Sequence, residues 1–323
     1  MTTAYAPGKV ILFGEHAVVY GRPAIAVPVT QVRACAVVES APSGQGLWIR
    51  ALDLGIEHRL GGAIAVDHPA YPLEATVRNS LRRLGMEAVP DLTLTVSSTV
   101  PMARGLGSGA ALAAAVVRAL SQHFGCQLTA VEVSELVYQT EVIYHGTPSG
   151  IDNTVIAYEQ PVYFVKGQLI EVLDVGRPFW LAIGDTGIAS PTRIAVGDVR
   201  QGWQQDPVRY EALFDGIGAI ARRARQALVQ GEIDTLGPLM NENQELLEAL
   251  GVSSPELEAL IRAARQAGAL GAKLCGAGRG GNMIALVEAA RTQAIATALR
   301  RAAAEGVIVS KVGPRPAVAK KPL

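Results

Sequence analysis

The 323-residue sequence has few of the residues that stabilise small disulfide-rich or metal-dependent folds. It has only three cysteines, Cys35, Cys126 and Cys275, which lie far apart and form no C-x-x-C or Cys/His pattern of a zinc site. Aromatic residues make up only 5% of the chain. The sequence therefore excludes a disulfide scaffold and a zinc module, and we expect a protein of the reducing cytoplasm.

An excess of charge of one sign and a long hydrophobic run are also missing. Lysine plus arginine and aspartate plus glutamate both number 29, so the chain has no basic field that would hold nucleic acid. No apolar run approaches the roughly 20 residues that span a bilayer, and the N-terminus has no apolar leader segment. We therefore expect a soluble protein that binds neither nucleic acid nor a membrane.

What the sequence does have is a large apolar share, 49%, in a chain longer than the usual single core. We expect two domains, residues 1–183 and 184–323, in an α+β arrangement, because strands and helices follow no regular βαβ alternation. β-rich runs predict strands at residues 10–13, 24–29, 92–96, 162–165, 169–173, 179–183, 272–275, 282–287 and 307–309. Helical composition and capping signals predict helices at residues 110–124, 129–144, 207–230, 233–250, 255–267 and 289–304.

Two segments match the string G-x-G-x-x-G/A: Gly105, Gly107 and Ala110 in one, and Gly276, Gly278 and Gly281 in the other. A dinucleotide-binding fold also needs an acidic residue about 20 positions further on, at the end of the next strand. Neither segment has one there. The sequence therefore disfavours an oxidoreductase of the Rossmann type.

The first glycine segment, residues 101–111, runs directly into a predicted helix. Glycines let the backbone come close to an anion, and the helix N-terminus adds partial positive charge. The segment lacks the lysine of a G-x-x-x-x-G-K-[ST] loop. It is either a phosphate-binding cradle or a tight turn before a buried helix.

Three charged residues are candidates for chemistry, and each has an ordinary alternative. Glu141, in the last helical turn before a polar segment, is a candidate Mg²⁺ ligand or an exposed surface residue. Asp152, after a Thr-Pro-Ser-Gly turn, is a candidate general base or a turn cap. Lys9, at the start of an apolar strand, pairs with a carboxylate such as Asp152 or extends its amine into solvent. For His16 alone, a core or surface histidine is favoured over a ligand.

The order and residue patterns of these segments resemble the motifs of the GHMP kinases, the superfamily of galactokinase, homoserine kinase, mevalonate kinase and phosphomevalonate kinase. Residues 7–16, 101–108 and 273–281 resemble its three signature regions, and the resemblance spans nearly the whole chain. Within the superfamily, residues 14–21, 145–153 and 185–192 look most like the mevalonate kinase family.

The resemblance implies an N-terminal ATP-binding domain of the ribosomal protein S5 domain 2 type, a ferredoxin-like C-terminal domain and an active site in the cleft between them. It implies ATP-dependent phosphorylation of mevalonate with Mg²⁺, and a homodimer. Asp152 resembles the family's catalytic base, Lys9 its partner, and Glu141 and Ser108 the Mg²⁺ ligands. The implied ATP-binding residues are Pro101, Gly105, Leu106, Gly107, Ser108, Gly109 and Ala110. The implied substrate-binding residues are Glu15, His16, Thr192, Gly276, Ala277 and Gly278.

The chain departs from the family pattern at two positions. Gly109 stands where the family usually has a second serine, so one hydroxyl is missing beside the phosphate loop. Arg279 stands where many relatives have glycine, and a guanidinium there would suit a substrate that already carries a phosphate. The alternatives left open are another kinase of the superfamily, acting on phosphomevalonate, homoserine or a sugar, and a catalytically silent nucleotide-binding protein.

Overall fold

The computed structural model describes residues 1–146, 148–190 and 192–313, with only the backbone described for His145. Strands and helices alternate irregularly through these residues, as the α+β prediction requires. The strands are β1 (Thr2–Phe13), β2 (Ala24–Ser40), β3 (Leu47–Ala51), β4 (Ile56–Arg59), β5 (Leu92–Ser98), β6 (Val162–Phe164), β7 (Glu171–Val172), β8 (Phe179–Asp185), β9 (Gly271–Cys275), β10 (Asn282–Val287) and β11 (Gly306–Val312). The helices are α1 (Tyr71–Arg83), α2 (Ser108–His123), α3 (Ala130–His145), α4 (Ile151–Tyr158), α5 (Thr192–Gln205), α6 (Pro207–Gln230), α7 (Ile233–Ala249), α8 (Pro255–Gln266) and α9 (Thr292–Arg301).

Three of the helices begin at polar caps that are visible in the sequence. Thr129 and Glu132 form a reciprocal capping box at the start of α3, as predicted. Asp206 caps α6 and Ser254 caps α8, and in both cases a proline follows at the first helical position. Proline suits that position because its missing N–H would have no partner inside the helix.

The chain folds into two compact units, each built from segments that are separated in the sequence. The first unit holds residues 1–9, 30–102 and 106–159. Its strands lie in the order β4-β3-β5-β2, in which β3 and β5 run parallel and the other neighbours run antiparallel. Helix α2 packs against α1, α3 and α4. Its alanine, valine and leucine side chains are buried almost all round, so this helix forms the centre of the unit.

The second unit holds residues 10–29, 103–105 and the described residues from 160 onward. Its main sheet is antiparallel, with the strand order β11-β8-β10-β9. Helices lie between β8 and β9 and between β10 and β11, which gives the strand and helix order of the expected ferredoxin-like fold. The start of β2 pairs with β6, and β6 with β7. The main sheet and its helices enclose an apolar core that includes Phe214, Leu247, Leu274 and Leu299.

Several sequence predictions of local structure need correction. Helix α2 begins at Ser108 rather than at Ala110, because the first loop ends at a left-handed Gly107. The helix expected over residues 289–304 is a short 3-10 turn followed by α9, which ends at Arg301. The strand expected over residues 169–173 is limited to Glu171 and Val172. Elements α1, α4, α5, β3 and β4 were not predicted. Among the described residues, none of the helices combines the length and the apolar character needed to cross a bilayer.

Candidate active site

The first unit brings Lys9 and Asp152 together in an ion pair. The Nζ atom of Lys9 lies 2.8 Å from Oδ2 of Asp152, and the lysine side chain is only 3% exposed. Of the two interpretations of Lys9, pairing with a carboxylate is therefore correct, and extension into solvent is wrong. Asp152 is 28% exposed, so one side of its carboxylate remains accessible to a substrate.

Local structure fixes both members of this pair. Asp152 lies in the first turn of α4, where the helix dipole stabilises a negative charge. Lys9 lies inside β1, and its backbone N–H donates to the carbonyl of Leu106 at 3.0 Å. The strand that carries the lysine is thus joined directly to the glycine loop before α2.

Gly107 allows that loop to lie on the stem of Lys9. A Cβ atom at this position would be 2.9 Å from Cγ of Lys9 and 3.0 Å from Cδ1 of Ile156. Gly107 also has a φ of 74°, a conformation that favours glycine. The glycine is therefore required both for the turn and for the close approach to the lysine.

Glu141 lies in the last turns of α3 and is buried, with 3% exposure. The local interpretation of Glu141 as an exposed surface residue is thus wrong. Burial raises the pKa of Glu141 to about 8, the negative charge of Asp152 adds to the increase, and Lys9 opposes it. The carboxylate therefore needs additional positive charge to remain ionised at neutral pH.

The residues around Glu141 suit a magnesium ion. Mg²⁺ prefers hard oxygen ligands and is usually held by one or two carboxylates together with substrate phosphates. Glu141 supplies a buried carboxylate, and Ser108 supplies a hydroxyl in the first turn of α2. Among the described residues there is no cluster of three or more histidine, cysteine or acidic side chains that would hold a metal alone. The set fits a cation that is bound jointly with a phosphate ligand.

In the second unit, Glu15 pairs with Lys273, and both side chains are fully buried. Lys273 lies in β9 and also donates to the carbonyl of Leu274 at 2.6 Å. Lys273 opens the third segment that resembles a family signature, but the sequence alone indicated no role for it. A lysine inside the apolar run of residues 271–275 was the available signal, because lysine is rarely buried without a partner.

His16 lies next to Glu15 with a positive φ of 59° and is also buried. Its Nε2 atom is 3.0 Å from the carbonyl oxygen of Ala277. Burial lowers the pKa of His16 to about 4, and the charge of Arg279 contributes in the same direction. The ring is neutral at pH 7, and Nε2 carries its proton because a carbonyl oxygen can only accept a hydrogen bond.

The second glycine segment is held in place by hydrogen bonds to its backbone from within the second unit. Arg279 N–H donates to the carbonyl of Val252 at 2.8 Å, and the Ser190 hydroxyl donates to the carbonyl of Gly278 at 2.7 Å. A side chain at Gly278 would collide with the Val252 carbonyl. Gly105 belongs to the same unit, and a Cβ atom there would lie 3.7 Å from the Cys275 carbonyl oxygen.

Arg279 forms an ion pair with Asp198 of helix α5. Its charge is thus compensated within the protein, which weakens the argument that it serves a phosphorylated substrate. Thr192 is the first residue of the same helix and is partly buried. Pro101 follows β5 at the start of the first glycine segment. The roles that the resemblance gives to Thr192 and Pro101 stay predictions.

Comparison with known proteins identifies two family domains in the chain. Residues 72–160 match the family model of the GHMP kinases N terminal domain, and residues 224–305 match that of the GHMP kinases C terminal domain. The first match contains the glycine loop, Glu141 and Asp152. The second contains Lys273 and the second glycine segment.

Full-length relatives and solved structures agree with these matches. The chain is 35% identical to a mevalonate kinase of Thermococcus sibiricus over 97% of both sequences. It is 36% identical to that of Aeropyrum pernix over 88% of this chain and 87% of the relative. Its structure matches the L. major mevalonate kinase in complex with R-mevalonate with a TM-score of 0.83 at 32% identity, covering 98% of this chain and 97% of that one. A Streptococcus pneumoniae phosphomevalonate kinase has a TM-score of 0.82 at 17% identity, covering 97% of this chain and 100% of that one, which shows a common fold alone.

Proposed function

Because the chain belongs to the mevalonate kinase family of the GHMP kinases, we propose that it transfers the γ-phosphoryl group of ATP to the primary hydroxyl of mevalonate, giving 5-phosphomevalonate for isoprenoid precursor biosynthesis. The observation that carries this proposal is the Lys9–Asp152 ion pair beside the glycine loop, in a chain with about a third of its residues identical to mevalonate kinases. A protein that only bound a nucleotide would have no use for an accessible carboxylate fixed by a buried lysine.

Asp152 acts as the general base in this proposal. It accepts the proton of the substrate hydroxyl as that oxygen forms its bond to the γ-phosphorus, while the bond from this phosphorus to the bridging oxygen breaks and ADP leaves. Lys9 fixes the orientation of the carboxylate and offsets negative charge near the transferred group. Positioning of the two reactants provides much of the remaining acceleration.

The loop from Gly105 to Ala110 would hold the ATP phosphates through backbone N–H groups at the start of α2. Pro101 belongs to the same proposed ATP site. Glu141 and Ser108 would hold Mg²⁺ together with the phosphates. The ion supplies positive charge that stabilises the phosphates and the transferred group when it is bound.

On the substrate side, we assign Glu15, His16 and Thr192 to the mevalonate site, with the backbone of Gly276, Ala277 and Gly278. The buried contacts of Glu15 with Lys273 and of His16 with Ala277 support a rigid arrangement of the first two. A cytoplasmic location is consistent with the free thiols of Cys35 and Cys126. A homodimer is proposed from the family resemblance alone.

Phosphomevalonate, homoserine and sugars are the alternative substrates. The fold does not separate them, since phosphomevalonate kinases and a galactokinase match the structure with TM-scores of 0.76 to 0.82. Sequence identity favours mevalonate, because two structures of the Streptococcus pneumoniae phosphomevalonate kinase are 17% and 18% identical, compared with 32% for the L. major mevalonate kinase. The pairing of Arg279 with Asp198 favours it too.

The decisive experiment measures ADP release from Mg-ATP in a coupled assay with mevalonate, phosphomevalonate, homoserine and galactose supplied separately. We expect turnover with mevalonate alone. Turnover only with another acceptor would keep the kinase fold and replace the substrate. Absence of turnover with every acceptor, while Mg-ATP still binds, would favour a silent nucleotide-binding protein.

A further inference from the structure

Tyr144 lies one turn beyond Glu141 on α3 and reaches the first turn of α2. A Cβ atom added at Gly109 would be 3.2 Å from Cε2 and 3.4 Å from Cδ2 of this tyrosine. The same point is 3.5 Å from Oε1 of Glu141. The tyrosine ring therefore borders the space into which a side chain at position 109 would extend.

The two neighbours of that point differ in exposure. Glu141 is 3% exposed, whereas Tyr144 is 40% exposed. The space beside Gly109 is therefore bordered by a buried carboxylate and by a more exposed aromatic ring.

A side chain at position 109 would require this ring to move by a few tenths of an ångström. A contact of 3.2 Å is shorter than ordinary packing of a Cβ atom on an aromatic carbon, and a hydroxyl beyond it would need further room. Gly109 and Tyr144 therefore form a pair in which the small residue makes space for the large one.

We propose that Tyr144 is a positioning residue for the metal–nucleotide site, whose ring occupies the space beside Gly109 and holds the Glu141 carboxylate toward the start of α2. The inference rests on the proposed role of Glu141 as a Mg²⁺ ligand. The ring, rather than the phenol hydroxyl, is the acting part, because ring carbons are the atoms of Tyr144 that a Cβ atom at Gly109 would meet. Residues that orient a metal ligand typically change metal affinity by about 10- to 100-fold when they are replaced.

The test compares variants by the affinity for ADP, measured calorimetrically with and without Mg²⁺. We expect Tyr144→Ala to weaken binding of Mg-ADP by about tenfold while binding of ADP in EDTA changes little. Tyr144→Phe should keep the wild-type affinity. Tyr138→Ala is the matched control, since it removes a partly buried tyrosine from the same helix, and none of the three atoms nearest to a Cβ at Gly109 belongs to it. An equal loss in both media, or an equal loss in Tyr144→Phe and Tyr144→Ala, would overturn the proposal.

A double-mutant cycle of positions 109 and 144 provides an independent test. Gly109→Ser should weaken Mg-ADP binding in the wild-type background, because the serine and the ring compete for one space. In the Tyr144→Ala background the same serine should restore binding, since its hydroxyl then has room beside Glu141. Additive effects of the two substitutions would contradict a shared space.

Glu141→Gln separates a failure of this inference from a failure of the site assignment. If Glu141→Gln leaves the Mg²⁺-dependent part of ADP binding unchanged, the metal site is wrongly assigned and the role of Tyr144 is lost with it. If Glu141→Gln weakens that part but Tyr144→Ala does not, the metal site stands and the inference about Tyr144 is wrong.

Discussion

At the level of single residues, exposure within the Lys9–Asp152 pair is unequal. The amine is buried, whereas the carboxylate keeps an accessible side. Removing the aspartate charge would take away part of the compensation of a buried lysine charge, which is unfavourable. The pair therefore holds the aspartate in one orientation without closing it to a substrate.

We predict that Asp152→Asn lowers kcat by at least about 100-fold, because an amide cannot accept the proton of the substrate hydroxyl. The KM for ATP should change much less. Thermal unfolding should also show some loss of stability, because Lys9 loses its negative partner. Asp234→Asn, which removes a charge from an exposed ion pair with Arg177, is the control and should leave kcat unchanged. A kcat near the wild-type value would remove Asp152 from the mechanism.

The second prediction for single residues concerns the Glu15–Lys273 ion pair. Both side chains are fully buried, so Lys273→Met leaves the Glu15 carboxylate without this cation in an apolar environment. We expect a loss of about 3–5 kcal/mol in the free energy of unfolding, measured by urea denaturation. The double variant Glu15→Gln/Lys273→Met should be more stable than the single variant, because no buried charge remains. A double variant that loses the sum of the two single effects would show that the two side chains are not coupled.

Local sequence could not decide the state of Lys9, Glu141 or His16, because burial depends on contacts that are distant in the chain. Each had a plausible surface interpretation, and the structure places all three inside. The family resemblance identified these residues because it compares whole segments rather than single positions. Their catalytic and ligand roles stay predictions until the variants are measured.

At the level of secondary structure, the glycine loop before α2 depends on Gly107 in two ways: through its left-handed backbone conformation and through its close approach to Lys9. Gly107 has a φ of 74°, and any Cβ there would meet the stem of Lys9. A glycine just past the other end of the helix, Gly125, has a φ of 69° and nothing within 4 Å of its Cβ position. Alanine substitutions at the two glycines therefore distinguish the effect of backbone strain from the effect of displacing the lysine.

We predict that Gly107→Ala and Gly125→Ala both lower stability by roughly 1–2 kcal/mol for the left-handed conformation. Only Gly107→Ala should also lower kcat substantially, because the new methyl group displaces Lys9 and with it Asp152. Steady-state kinetics and thermal unfolding of both variants provide the comparison. An equal kcat in the two variants would show that the loop does not position the lysine.

The helices and strands that the sequence predicted were those with strong capping signals at their ends or clear runs of apolar residues. The capping box of α3 and the cap-proline starts of α6 and α8 marked their helices well. Helix α1 was missed although Leu73, Val77 and Leu81 follow a helical spacing and are buried. Helix α5 gave a weaker signal, because it contains two glycines and buries only Ala195 and Val199.

At the level of the whole molecule, sequence order does not reveal which segments fold together. Residues 10–29 and 103–105 belong to the same compact unit as the second half of the chain. No composition change marks residue 10 or residue 103, so only the folded structure shows this grouping. The predicted domain boundary between residues 183 and 184 stays a prediction, whereas the fold class and the family followed from motifs spread over the chain.

The buried His16 links the stability of the whole molecule to pH. Its pKa is about 4 in the folded protein, compared with about 6.5 in an unfolded chain. Between these values the unfolded state binds more protons, so stability must fall as the pH is lowered from about 6.5 to 4. The contribution of His16 is complete above pH 6.5 and is lost progressively below it.

We predict that His16→Asn is less stable than the wild type at pH 7.5 and that the difference shrinks toward pH 4.5. Asparagine suits the positive φ of this residue and does not titrate, so the substitution removes the proton linkage without adding backbone strain. His16 changes the free energy of unfolding by at most about 1.4 kcal/mol per pH unit, or roughly 3 kcal/mol over the whole interval from pH 6.5 to 4. Urea denaturation of both proteins at several pH values measures the difference directly, and the acidic residues common to both cancel. A difference that stays constant with pH would mean that His16 is protonated equally in the folded and unfolded states, which would contradict its burial against the Ala277 carbonyl.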